Sequence, residues 1–423
     1  MADIAVIGTG YVGLTTGAYL AHLGHNVVCA DVVPEKVEAL NRGEVPIHEA
    51  GLDEMVEQGI EAGRLKFVLG AVTAAAEAEF IFLCLPTPQG EDGSADLSYV
   101  EAVARDIGPH IRPESIVVNK STVPVGSNLR VAALLNRDDV FVVSNPEFLR
   151  EGQALQDSLN PDRIVIGAND QEAALRLAEL YESLHAPVLV TDPASAETIK
   201  YAANAFLATK VSFINAVAHF CELVGADIKD VALGMGQDKR IGFEFLRPGP
   251  GWGGSCFPKD SRALIHMAED RGYGFDLLRS VVAVNDEQYE RVADKIAFAA
   301  GGSLEGKTIA VWGLTFKART DDTRESPALF IIERLLARGA KVQAFDPMAS
   351  RQFDEFAVCD DAYAAVEGAA ALAVLTEWEE FRFVDLTKVR SLMVGTNIVD
   401  ARNLLDPAAV RRHGFTYDGI GRL

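Results

Sequence analysis

Short β-branched runs alternate with segments of helical apolar spacing through the first part of the chain. Residues 4–7 (Ile-Ala-Val-Ile) read as a strand, Gly8 to Gly13 as a turn, and 14–23 as an apolar helix that Gly24 stops. Residues 26–30 make a second strand ending at Asp31. The apolar run 79–85, closed by Pro86-Thr87-Pro88, and shorter runs at 115–119, 140–144 and 164–167 read as further strands. Such alternation predicts an open, mostly parallel sheet with helices on both faces.

The pattern changes near Ala194. Residues 195–223 contain no Pro or Gly, and apolar residues recur on more than one face (Ile199, Phe206, Leu207, Phe213, Ile214, Val217, Phe220, Leu223). A helix of this length, apolar on several faces, is expected to be buried by more than its own domain, either at a subunit interface or between two domains of one chain. After Gly301-Gly302 the alternation resumes, with strands at 307–313, 341–346, 371–376 and 397–400 and a helix at 326–337. The expected fold is α/β: two Rossmann-like doubly wound domains, 1–194 and 301–423, joined by a central helical dimerisation segment at 195–300 that holds the candidate cysteine.

Composition narrows the partners. The 423 residues are 49% apolar and 24% charged, as in a folded protein. With 39 Lys and Arg against 61 Asp and Glu, the formal net charge is −22. Such a surface repels nucleic-acid phosphates and anionic headgroups, so neither nucleic acid nor membrane is expected as a partner; an anionic ligand needs a local basic cluster. No run approaches the ~20 apolar residues of a membrane span, and the N-terminus lacks the basic region of a secretory signal. The five cysteines (Cys29, Cys84, Cys221, Cys256, Cys359) have no CxxC spacing, and no histidine pattern suits a metal. A cytoplasmic setting and no metal are the expectation.

Gly8-x-Gly10-x-x-Gly13 stands directly after a strand and opens a helix. Gly8 permits the tight turn, Gly10 lets a pyrophosphate approach the backbone, and Gly13 allows close strand–helix packing, while the helix N-terminus offers N–H donors. Asp31 lies 18 residues beyond Gly13, where a carboxylate binds a ribose diol and repels a 2′-phosphate. NAD is therefore the expected cofactor; the bland alternative is a plain tight βα turn. A second signal is Gly251-Trp252-Gly253-Gly254-Ser255-Cys256-Phe257-Pro258-Lys259-Asp260. Its glycines let a ligand lie against bare backbone, and Pro258 suits the start of a helix. Cys256 then sits at a helix N-terminus near Lys259, which favours the thiolate, a nucleophile toward an aldehyde carbon. Cys29, Cys84 and Cys221 read instead as small buried apolar residues. Three polar pairs recur four apart, and so share a face on a helix: Glu147 with Glu151, Lys200 with Asn204, Cys256 with Asp260. The acidic pair suits a general base and substrate anchor, or a solvated acidic helix start. Lys200 and Asn204 within an apolar helix suit an oxyanion.

Together these residues resemble the UDP-glucose/GDP-mannose dehydrogenase family over essentially the whole chain. The motifs are GTGYVG at 8–13, PTP at 86–88, KSTVPVG at 120–126, NPEFLREG at 145–152, the run from Glu197 through Lys200 to Asn204, GGSCFPKD at 253–260 and FKARTDDTRES at 316–326. The resemblance implies two successive oxidations at C6 of a UDP-sugar, alcohol to aldehyde to acid, using two NAD and one water. It implies that Lys200 or a water on Asp260 takes the hydroxyl proton, and that Cys256 carries a thiohemiacetal and then a thioester. Lys200 and Asn204 would stabilise the oxyanions, and Glu147, with Thr122 and Asp260 placing the water, would serve hydrolysis. The cofactor contacts it implies are Gly8, Gly10, Tyr11, Val12, Gly13, Asp31, Lys36, Pro86, Thr87, Thr122, Glu151, Lys259 and Arg324. On the sugar and uridine side it implies Leu149 and Glu151, and as further substrate contacts Phe148, Arg150, Lys200 and Asn204. The remaining substrate contacts are Phe245, Leu246, Arg247, Gly253, Phe316, Lys317 and Arg402, with Arg240 similar to an arginine that reaches across from a partner subunit. A homodimer or higher homo-oligomer is implied. Arg324 and Glu325 have the alternative of a structural ion pair.

Two departures stand out. Pro248-Gly249-Pro250-Gly251-Trp252 is bulkier and stiffer than the Tyr or Phe versions common in the family. The turn Gly313-Leu314-Thr315-Phe316-Lys317 lacks GxGxxG, so phosphate contacts there must come from side chains such as Lys317. GDP-mannose and UDP-N-acetylhexosamines are rival substrates, because epimers are told apart by pocket shape. A two-electron β-hydroxyacid dehydrogenase needs no nucleophilic cysteine, and a non-catalytic NAD-binding regulator would leave Cys256 idle.

Overall fold

The computed structural model describes residues 1–90, 93–349 and 353–422. The chain divides into two compact units, Met1–Ala203 with Arg262–Tyr273, and Asn204–Ser261 with Gly274–Leu423.

The first unit is built on an eight-stranded sheet: β1 (Asp3–Ile7), β2 (Asn26–Asp31), β3 (Leu65–Leu69), β4 (Phe80–Leu83), β5 (Ile116–Asn119), β6 (Phe141–Ser144), β7 (Ile164–Ala168) and β8 (Val188–Thr191). The order is β3-β2-β1-β4-β5-β6-β7-β8. All neighbours are parallel except β6 and β7, which pair antiparallel at Val143 with Ala168 and Ser144 with Gly167. β4 (Phe-Ile-Phe-Leu) and β5 (Ile-Val-Val-Asn) are buried throughout, as central strands covered on both faces must be. The strand order reverses between β1 and β4, and a crevice at the carboxyl ends of strands at such a point is where this architecture takes ligands.

The second unit carries a six-stranded, wholly parallel sheet: β9 (Thr308–Trp312), β10 (Lys341–Phe345), β11 (Ala357–Val358), β12 (Ala371–Val374), β13 (Asn397–Asp400) and β14 (Thr416–Gly419), in the order β11-β10-β9-β12-β13-β14. Its core joins sheet residues such as Val311 and Ala373 to Val292 and Ile296 of the helix Asp276–Ala299 and to Ile214 and Ala218.

The long helix runs Pro193–Val224. Pro193 needs no N–H in a first turn, and Gly225, at φ +75°, ends the helix in the left-handed region. One face is buried (Tyr201, Ala208, Ile214, Ala218), while Phe206, Phe213 and Phe220 are 65%, 52% and 60% exposed. The expectation that no run approaches a membrane span needs correction by length and composition. Between Lys200 and Glu222 the one charged residue is Lys210, and an 18-residue window reaches a mean hydropathy of 1.3.

Candidate active site

The turn after β1 is held in a form that only glycine allows. Gly8 has φ +96°, and a Cβ there would lie 2.4 Å from the Cys84 carbonyl oxygen; one on Gly13 would lie 1.8 Å from the Gly8 carbonyl oxygen. Gly10 instead faces open space and caps the helix Tyr11–His22. The exposed N–H groups of that first turn are therefore accessible to an anion. At the end of β2, Asp31 accepts from the Thr9 N–H (3.1 Å), the Thr9 hydroxyl and Lys36 Nζ (2.9 Å) on one oxygen, and from Val32 N–H (2.8 Å) on the other. Burial pushes its pKa up, but the Thr9 and Lys36 donors overcome that and hold it at about 2. Val12 packs on the core behind the turn. Tyr11 turns elsewhere: its hydroxyl donates to buried Glu49 and accepts the Gly152 N–H at 2.6 Å. The loops after β4 and β5 meet where the Thr87 hydroxyl, next to Pro86, donates to the Thr122 carbonyl at 3.0 Å.

A charged cluster lies at the carboxyl ends of β5 and β6. Lys200 Nζ, buried, donates to Glu147 Oε1 at 2.9 Å, and the Leu149 N–H donates to Glu147 Oε2 at 2.6 Å. Burial pushes the Glu147 pKa up, but Lys200, the Leu149 N–H and Lys120 outweigh it and leave it below the usual value. Lys120, also buried, donates to Asn145 Oδ1 at 3.1 Å, and burial drops its ammonium to about 8. Phe148 lies under Arg163 at 3.6 Å and near Lys200 Nζ at 5.5 Å. Arg150 grips Asp157, seven residues on, with two side-chain hydrogen bonds of 3.0 and 2.5 Å. The neighbouring Glu151 is half-buried.

In the second unit Cys256 sits where the sequence puts it. The helix Phe257–Glu269 begins one residue later, and the Asp260 N–H bonds to the Cys256 carbonyl at 2.8 Å. The thiol is half-buried, with the Ser255 hydroxyl 3.6 Å from Sγ. Asp260 is 1% exposed; Asn204 Nδ2 donates to one of its oxygens and Lys259 Nζ to the other, each at 2.6 Å. Asn204 stands one helical turn beyond Lys200 on the long helix. The glycines are needed for contact: a Cβ on Gly253 would lie 1.9 Å from the Glu325 carbonyl oxygen, and one on Gly254 2.8 Å from the Phe316 ring. Trp252 is buried, its indole donating to Ser212 Oγ and its N–H to Asn285 Oδ1, both at 2.8 Å. It belongs to the packing of this unit.

Of the basic groups expected for a nucleotide, Arg402 and Lys317 lie at Phe316. Arg402 donates to the carbonyls of Phe316 (2.8 Å) and Leu375 (2.9 Å) and pairs with Glu377. Lys317 Nζ lies 5.5 Å from the Phe316 ring. Phe245 takes φ +63°, Leu246 is buried and Arg247 is exposed. Arg240 is exposed and pairs with Asp238, and Arg324 pairs with Asp322. Sequence reading passed over Glu49, Lys120 and Glu197 as working residues. Lys120 and Glu197 lie inside motifs it used; for Glu49 the sequence carries no signal.

Residues 2–185 match the NAD binding domain of the UDP-glucose/GDP-mannose dehydrogenase family, residues 194–287 its central domain and residues 310–407 its UDP binding domain. The chain is 47% identical to a UDP-glucose 6-dehydrogenase of Pseudomonas aeruginosa, covering 99% of this chain and 97% of that protein. It is 45% identical to the UDP-glucose 6-dehydrogenase TuaD of Bacillus subtilis, over 100% and 94%. Its fold matches that of a UDP-glucose dehydrogenase from Pyrobaculum islandicum with a TM-score of 0.93 at 39% identity, over 100% and 98% of the two chains.

Proposed function

Because the chain belongs to the UDP-glucose/GDP-mannose dehydrogenase family, we propose that it oxidises UDP-glucose at C6 to UDP-glucuronate through a thioester on Cys256. It is an NAD-dependent oxidoreductase. The observation that carries the proposed mechanism is a half-buried cysteine at a helix start, one turn from a buried aspartate that an amide and an ammonium hold in place.

The first turn fits NAD: open space at Gly10, bare helix N–H groups, and an ionised Asp31 for the ribose diol that also repels a 2′-phosphate. Bound there, NAD supplies the hydride acceptor for both oxidations. The chain's own residues do the rest. A water held by Asp260 takes the C6 hydroxyl proton as the alcohol becomes an aldehyde. Lys200 suits that role less, because its ammonium is paired with Glu147 and donates. Cys256 Sγ then adds to C6, giving a thiohemiacetal whose oxyanion Lys200 and Asn204 stabilise. A second two-electron oxidation leaves a thioester. Water, deprotonated by Glu147 and placed by Thr122 and Asp260, breaks the S–C6 bond and releases the carboxylate, the thiol and a proton. The covalent link keeps the aldehyde from escaping between oxidations. Arg402, Lys317 and Arg247 are proposed to hold the UDP phosphates against the chain's acidic field, and Lys259 and Arg324 to serve the cofactor side. Residues 1–194, 195–300 and 301–423 are the proposed functional divisions, and a cytoplasmic location follows from a chemistry that draws on NAD and a nucleotide sugar.

The test is stoichiometry. About two NADH per UDP-glucose consumed are expected for a four-electron oxidation, and one would leave only a simple alcohol dehydrogenase. Turnover of GDP-mannose or UDP-N-acetylhexosamines in preference to UDP-glucose would overturn the choice of sugar.

Phe206, Phe213 and Phe220 recur every seven residues on the exposed face of the long helix, with exposed Leu223 beyond them. We propose that a second copy of the chain covers this face, making at least a dimer and bringing Arg240 to its partner. Phe213→Lys is expected to halve the particle mass in sedimentation; an unchanged mass would remove this face from the interface.

A further inference from the structure

Glu197 stands one turn before Lys200 on the long helix and is 3% exposed. Both of its carboxylate oxygens are engaged. Oε2 accepts the Gly126 N–H at 2.7 Å; Oε1 accepts the Asn128 N–H at 2.9 Å and the Ser144 hydroxyl at 3.0 Å. Gly126 is the N-cap of the helix Ser127–Leu135, with φ +103° and no side chain of its own to cap with. Glu197 therefore supplies from another element the acceptor that a Ser or Asp cap would supply locally. Burial raises its pKa above the usual carboxylate value, and the donors aimed at it offset only part of that rise.

Thr122 lies on the loop thus held. The loop leaves β5 at Asn119 and is fastened at its near end by Ser121 Oγ, which donates to the Leu85 carbonyl at 2.7 Å. It is held in the middle by the hydrogen bond of Thr87 to the Thr122 carbonyl, and at its far end by Glu197. Behind it lies a cavity of about 10 Å³ whose walls include Asn119, Thr122, Ser144, Glu197 and Lys200. That is about the space one water centre needs. Asn119 is buried there, and neither its side-chain nitrogen nor its oxygen has a hydrogen-bond partner among the described residues. An unspent amide and a carboxylate facing one small space make a polar site for a water, because leaving such groups dry is costly.

We infer that Glu197 is a positioning residue: it fixes the Thr122 loop against the helix that carries Lys200, in part through one water shared with Asn119. The inference rests on the reading above, in which Thr122 and Lys200 serve the oxyanion and the hydrolytic water. Its consequence falls on hydrolysis more than on binding. Cleavage of the S–C6 bond needs water placed by a loop that Glu197 holds, whereas both oxidations come before it.

Glu197→Gln is the sharpest variant. The amide keeps the shape but turns an NH₂ toward an N–H donor, so one backbone donor loses its acceptor. Its steady-state kcat is expected to fall about 10- to 100-fold, as for a small misplacement of reacting groups, with both KM values within about threefold of the parent. Rapid mixing should show a burst of about two NADH per subunit followed by slow turnover, since two oxidations precede hydrolysis. Intact-protein mass spectrometry should then find the acyl adduct on Cys256. Asp170→Ala is the control for stability alone: Asp170 caps the helix Gln171–Glu179 by accepting the Ala173 N–H at 2.8 Å, and this variant should melt lower with kcat unchanged. A Glu197→Gln variant with parental kcat, or one whose loss follows only its unfolded fraction without burst or adduct, overturns the inference. A high-resolution crystal structure with no density in the cavity overturns the shared water. Should the parent protein oxidise no nucleotide sugar, the functional reading fails by itself. Hydrogen exchange at the Gly126 and Asn128 amides then decides the positioning role, and Glu197→Gln must speed it.

Discussion

Cys256→Ala is expected to lower steady-state NADH formation by at least about 10³-fold while leaving the fold intact. The residue is half-buried and loses one sulfur atom, so the change in stability should stay below about 1 kcal/mol. The first oxidation needs only a proton acceptor and the cofactor, and Asp260 keeps its Asn204 and Lys259 partners in the variant. A single turnover should therefore release no more than about one NADH per subunit and stop at the aldehyde level, because no thiolate adds to C6. Cys256→Ser tests the same step from the other side. A hydroxyl is a much weaker nucleophile, and any ester it forms should hydrolyse slowly enough to be seen on the protein by mass. Parental turnover with two NADH per sugar in either variant would remove the covalent route.

The parts of this protein that the sequence made legible are those built from neighbours in the chain. Gly8, Gly10, Gly13 and Asp31 belong to one strand–turn–helix–strand unit, where Gly8 takes φ +96°, Gly13 has no room for a Cβ and Gly10 faces open space. Cys256 one residue before its helix was readable for the same reason, from Pro258 and three glycines. The strand at Asn397–Asp400 stood out as an apolar run closed by an aspartate. What escaped depends on distant contacts. β8 (Val-Leu-Val-Thr) is an exposed edge whose existence is decided by pairing with β7. β14 (Thr-Tyr-Asp-Gly) ends in two poor strand formers, Asp and Gly, and is fixed by β13. The reversal of β7 leaves no trace in a hydrophobic pattern, because a buried strand reads alike in both directions. Arg150 is a natural anion ligand by chemistry, yet here Asp157 holds it. Glu197 and Lys120 are single charges within familiar motifs, and only their burial against named donors and acceptors gives them a task.

Lys200→Met should produce the second large effect, and in it stability and catalysis can be pulled apart. The variant leaves Glu147 as a buried carboxylate that has lost its nearest cation, a change that costs about 3–5 kcal/mol when one partner of a buried pair is removed. Lys120 is a poor substitute. Its Nζ is committed to Asn145 Oδ1, and burial has already brought its pKa down to about 8. In the parent, Glu147 has a lowered pKa, so its contribution to stability is present above the unfolded value of 4.5 and lost as pH falls through the lower folded value. Without Lys200 the burial effect wins and the pKa rises above 4.5. The penalty is then full at neutral pH and shrinks as the solution is acidified and the carboxyl takes a proton. Melting curves of parent and variant should therefore converge toward low pH. Turnover should fall about 10²- to 10³-fold at every pH, the loss expected for one oxyanion donor. Lys200→Met combined with Glu147→Gln removes both charges of the pair. If the ion pair matters only for folding, this double variant should recover stability and activity together. On the mechanism proposed here it recovers the melting temperature and none of the turnover, because neither methionine nor glutamine can replace the ammonium at the oxyanion or the carboxylate that activates water.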